Sequence, residues 1–144
     1  MWRGLVAMVL AAGWSVAWAQ VEVKDAWVRA TVSQQKATGA FMRITAKQNM
    51  KVVQVSTPVA GTAEIHEMSM ADNMMRMRPV DALELPAGKT VELSPSGFHV
   101  MLMDLKHQVK EGETVPLTLV LEGSDGKKTN VDVKAIVKGL GATH

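Results

Sequence analysis

The 144-residue sequence contains no cysteine. Without cysteine there is no disulfide, so a packed core alone must hold the fold together. There is also no thiolate to act as nucleophile or metal ligand. A blue-copper electron-transfer centre, which needs one Cys beside two His, is therefore excluded. Aromatic residues are scarce: beyond the first 19 positions only Trp27, Phe41 and Phe98 occur. Charge of either sign is nearly balanced, with 16 Lys and Arg against 14 Asp and Glu. That gives no electrostatic case for nucleic acid or an acidic membrane surface. Beyond the first 19 residues no run is apolar enough to cross a bilayer, which takes about 20 residues. No Gly-x-Ser-x-Gly elbow, His-Glu-x-x-His pair or phosphate-binding glycine loop is present, which argues against an enzyme.

The N-terminus reads as an export signal. Met1-Trp2-Arg3 supplies a positive charge, Gly4 to Ala12 an apolar stretch, and Ala17-Trp18-Ala19 a small-x-small cleavage site. The apolar stretch is too short for a membrane anchor. Cleavage is expected after Ala19, releasing residues 20–144 into a bacterial periplasm with no stable membrane insertion. That length suits one domain with one core. The tail from Lys138 to His144 is expected to be loose.

The mature chain reads as short strands and turns. Strands are expected over residues 21–32, 40–45, 51–55, 63–70, 74–80, 90–93, 98–105, 114–121 and 129–137. The last two alternate most cleanly, while Phe98 to Leu105 is apolar enough to be buried on both faces. Leu85 to Gly88 and Ser94 to Gly97 read as turns. Ser124-Asp125-Gly126-Lys127 signals a hairpin with a tight primed turn. Residues 106–112 allow one short helical turn at most. The pattern predicts an all-β fold, a sandwich or Greek-key barrel.

Methionine is abundant, at 11 residues, of which only Met1 and Met8 precede the expected cut. Alternation on a strand puts His66, Met68 and Met70 on one face, and His99, Met101 and Met103 on another. Met75 and Met77 share a face opposite Met74, Arg76 and Arg78. The arginine face should be wet, leaving Met77 inward or at a rim. Taken singly, each methionine is more simply core filler, and His107 and His144 more simply solvated. Two strands that each bring a His with alternate methionines point instead to a metal. Thioethers are soft and uncharged and favour copper(I); imidazole suits copper in either state. Zinc usually takes thiolates, carboxylates or more imidazoles. With no cysteine, holding and passing copper fits better than shuttling electrons.

His66, Met77, His99 and Met101 follow one another as His, ten residues, Met, twenty-one residues, His, one residue, Met. This spacing resembles that of the PCuAC family of periplasmic copper chaperones. The resemblance extends to Asp25 to Ala30, Thr38 to Met42 and Met75 to Val80. It implies a cupredoxin-like Greek-key β-barrel and copper(I) held near the surface by those four residues. It also implies delivery toward cytochrome c oxidase assembly. The acceptor would be a Sco-type thiol protein or the copper subunit of the oxidase. Some relatives carry a His- and Met-rich extension for a second copper(II), which the ending Gly141-Ala142-Thr143-His144 does not resemble. Two other readings stay open: copper storage or resistance, and a metal-free, methionine-rich surface for protein contacts. Met68, Met70, Met74, Met75 and Met103 have no assigned role; a soft apolar rim around the site is expected of them, with core packing as the alternative for Met103.

Overall fold

The computed structural model describes residues 20–141. The expected signal peptide with its cut after Ala19, and the terminal His144, lie outside them. Ten strands follow in order: β1 (Val21–Arg29), β2 (Ala37–Ala46), β3 (Met50–Ser56), β4 (Ala60–Ala71) and β5 (Met74–Val80), then β6 (Leu83–Leu85), β7 (Thr90–Leu93), β8 (Phe98–Leu105), β9 (Thr114–Gly123) and β10 (Lys128–Lys138). No α-helix occurs among the described residues. They form one sheet ordered β5-β4-β8-β2-β1-β10-β9-β3-β6, with β7 paired to β2. Only β1 and β10 run parallel. The sheet curls round: Gln54 and Val55 of β3 line the same cleft as Ala63 and Ile65 of β4, although those strands are far apart in the order. This is the all-β architecture that the strand pattern predicted, and it agrees with the cupredoxin-like fold that the family resemblance implies.

Period-2 alternation builds the core. Val115, Leu117, Leu119 and Leu121 of β9 are buried, as are Val131, Val133, Ala135 and Val137 of β10. Their neighbours Thr114, Pro116, Lys134 and Asp132 stay at the surface. Each fully buried leucine contributes roughly 1.5–3 kcal/mol of transfer free energy. On β2 and β8 the core side carries Ala40, Met42, Ile44, Val100 and Leu102. The other side of β8 is only partly covered. His99 is buried, but Met101 and Met103 are half-buried and Asp104 is exposed. The expectation of two buried faces therefore holds at one end of β8 only.

Two turns depart from the sequence reading. At Ser124 to Lys127 only Gly126 takes positive φ, at 83°. The Gly123 amide donates to the Lys127 carbonyl at 3.0 Å, so a three-residue loop replaces the expected primed turn. The primed geometry occurs at Asp72-Asn73 instead, where φ is 52° and 64°. This two-residue turn joins β4 to β5, with Ala71 opposite Met74. Asx residues tolerate the left-handed region better than most, which makes the turn possible without glycine.

A bulge positions the aromatic residues. The β1–β2 register shifts between Lys24 and Trp27, where Asp25 adopts φ 55°. Before the bulge Val21 and Val23 face the core; beyond it Val28 does, and Trp27 turns to the opposite face. There Trp27 packs on Phe41 with ring centroids 4.6 Å apart. The Arg29 guanidinium lies 5.5 Å from the Phe41 centroid.

Candidate metal centre

Register assembles the candidate ligands. β4 and β8 run antiparallel with His66 opposite His99 and Glu64 opposite Met101. Opposed residues share a face. β5 adds Met77 opposite Met68. β2 contributes Gly39, opposite Met101. A Cβ built on Gly39 would come within 2.7 Å of the Phe41 ring, so only glycine lets that ring lie flat at this point. Phe41 then stands 6.2 Å from the His99 ring, centroid to centroid.

Met68, Met77, His99 and Met101 line one cleft of about 320 Å³, together with Gly39 and Phe41. Three of the four expected ligands thus surround the same space. His66 does not line it, but its ring lies 6.1 Å from that of His99. His66 and His99 are 9% and 4% exposed, while Met77 is 48% exposed. The set is buried on its histidine side and open on its methionine side. Met68 was placed on this face by strand alternation, but no sequence spacing marked it as a ligand.

In its neutral form each imidazole uses one nitrogen to donate to an oxygen and keeps the other as a lone pair. His99 Nδ1–H donates to the Gly97 carbonyl at 3.1 Å. Its Nε2 then carries a lone pair, and this faces the Met77 sulfur at 3.1 Å. Both atoms are acceptors, with no proton to place between them. His66 Nε2–H donates to the Glu64 carboxylate at 2.9 Å. Its Nδ1 is buried and has no hydrogen-bond partner. A buried nitrogen in that state costs free energy unless something binds it. A carboxylate behind an imidazole orients the ring and raises its basicity toward a metal. Burial pushes the His99 pKa below the ordinary value; the Gly97 carbonyl opposes this and His66 adds to it. Among the described residues no three His, Asp or Glu side chains gather to hold an ion. A metal here must take thioethers, which selects a soft, low-charge ion. The remaining candidates sit apart. His107 is an exposed loop residue, and Met103 is half-buried opposite Thr62 and Ala37.

The curled β-sheet places the chain in the cupredoxin-like fold class, which includes copper-bound proteins. Within it, the chain belongs to the family described as "Putative lipoprotein LpqE-like", whose model matches residues 21–135. It is 32% identical over 114 residues to "Putative lipoprotein Lxx21020" of Leifsonia xyli subsp. xyli (strain CTCB07), covering 78% of this chain and 68% of that one. Among solved structures, the apo PCuAC domain from PmoF1 superposes with TM-score 0.65 at 23% identity, over 83% of this chain and 94% of that one. Apo-DR1885 from Deinococcus radiodurans gives TM-score 0.62 at 34% identity, over 95% and 89%. Its Cu(I) form gives 0.53 at 37% identity, over 78% and 74%. No helix among the described residues is long and apolar enough to cross a membrane.

Proposed function

We propose that this protein is a periplasmic copper(I) carrier that binds one ion through His66, Met77, His99 and Met101. The observation that carries this reading is the contact between His99 Nε2 and the Met77 sulfur, two lone pairs 3.1 Å apart with no proton between. A soft cation resolves that contact, and the bare Nδ1 of His66 supplies a further donor. Two imidazoles and two thioethers are neutral, as suits a monovalent ion. The likeness to DR1885, which has a Cu(I) form, supports the choice of metal. The export-type N-terminus and the lipoprotein relative support a location outside the cytoplasm.

Release proceeds by ligand exchange, without catalysis. Met77 is half-exposed, so an incoming thiolate reaches the ion on the methionine side while the histidines still hold it. Thiolates bind copper(I) more strongly than thioethers, and the transfer runs downhill. A Sco-type thiol protein or the copper subunit of cytochrome c oxidase fits as acceptor, in keeping with the family resemblance.

The test is anaerobic copper(I) titration of residues 20–144 against a chromophoric chelator, beside the His99→Ala, Met101→Ala double variant. One tight equivalent, lost in the variant, is the expected result. A wild-type protein that cannot compete with the chelator would overturn the carrier reading and leave the methionines as a protein-contact surface.

A further inference from the structure

The β4–β5 hairpin carries more sulfur than one four-ligand site uses. Its register sets Met68 opposite Met77 and Met70 opposite Met75. Opposed residues share a face, and so do alternate residues along each strand. One face therefore reads, from the sheet outward, His66, then the Met68–Met77 rung, then the Met70–Met75 rung. The other face carries Glu67 with Arg78 and Ser69 with Arg76. Exposure on the sulfur face climbs toward the tip: Met75 is 51% and Met70 66% exposed. Core packing does not account for side chains so open. The left-handed Asp72-Asn73 turn lies two residues beyond each and pins their pairing.

The geometry suits an ion. Opposed Cβ atoms on a hairpin are about 5 Å apart, and successive rungs on one face about 7 Å. Three rotatable bonds let both sulfurs of a rung close on one centre. We propose that Met70 and Met75 form a second, outer copper(I) station at the mouth of the cleft, weaker than the inner site. This rests on the copper reading above. Two neutral thioethers with no imidazole exclude zinc and copper(II) and leave a soft monovalent ion as the occupant.

The test follows methionine methyl resonances during anaerobic Cu(I) addition to the mature protein and to its Met70→Leu, Met75→Leu variant. Leucine keeps the apolar bulk at exposed positions, so the fold is retained. In the wild type the first equivalent moves the Met77 and Met101 methyls, and the second moves those of Met70 and Met75. In the variant the second equivalent is lost, while affinity for the first stays within about twofold. A first equivalent that binds normally, followed by no movement at Met70 and Met75, overturns the outer station alone. So does a second equivalent that survives in the variant. No Cu(I) bound at any position overturns the copper reading and the station with it.

Discussion

Two long hairpins in this molecule obey the same alternation and put it to opposite uses. In β9–β10 one face is largely buried and the other carries Lys134, Asp132 and Thr118, with Ile136 the one large apolar side chain left exposed there. In β4–β5 the core takes little beyond Ala60 and Ile65, and β5 has no buried residue at all. The face that could have been polar instead presents thioethers to water. A scaffold hairpin minimises exposed apolar surface; this one does not, and the cost is understandable only if the sulfurs bind something.

The sharpest way to break the comparison is to exchange one residue from each hairpin. Leu119→Ala opens a cavity in the core and should cost about 2–5 kcal/mol of stability in denaturant unfolding. Its folded fraction should still take up copper(I). Met77→Leu should leave stability within about 0.5 kcal/mol of wild type, because the side chain is half-exposed. Its copper(I) affinity should collapse. If Met77→Leu unfolds the protein and spares binding, the division of labour is wrong.

A smaller effect is expected one step behind the ligands. Glu64→Gln removes the charge that holds His66 Nε2. Loss of such a partner typically weakens metal affinity by about 10–100-fold. Competitive titration should find that loss with one equivalent still bound. An unchanged affinity would mean that His66 is not a ligand.

These distinctions were only partly legible in the sequence. β7 and β8 were read to the residue, because Pro, Gly and Ser bracket apolar runs there. The pairing of histidine with alternate methionines was also legible, since a strand has only two faces. Three things were not. β6, from Leu83 to Leu85, is too short to show a period. The bulge at Asp25 leaves no local signature, yet it decides that Trp27 covers the site face. The pairing of Met68 with Met77 follows from the β4–β5 register, a non-local fact set by the Asp72-Asn73 turn. The Asp-Gly at 125–126 carries the stronger primed-turn signal, yet it is the Asp72-Asn73 pair, without glycine, that adopts that turn.

Acid should act on the cleft through β8, the strand that pairs with β4. Burial favours neutral His99, so its folded pKa lies below the ordinary value of about 6.5. Between the two values the unfolded chain binds more protons than the native one, and stability rises with pH there. Apo-protein stability should therefore decline as pH falls from about 6.5 toward the folded pKa, and His99→Gln should flatten that decline. The part of the copper(I) affinity that depends on His99 should fall only below the pH at which a free imidazole titrates, because burial keeps His99 deprotonated longer. A His99-dependent loss that already begins above about pH 7 would contradict the burial argument.

The smallest effect sharpens the comparison within one hairpin. Arg78 Nη2 donates to Glu67 Oε1 at 3.0 Å, across the strands and on the face away from Met68, Met70, Met75 and Met77. The arginine is largely exposed, so the pair is screened, and Arg78→Ala should cost no more than about 1 kcal/mol. Arg78 is the neighbour of Met77 in sequence but points to the other side. If the sulfur face alone serves copper, Arg78→Ala leaves the copper(I) stoichiometry and affinity at wild-type values while Met77→Leu abolishes tight binding. Equal losses in the two variants would show that the hairpin acts through its overall rigidity, and that the face carrying the sulfurs has no separate role.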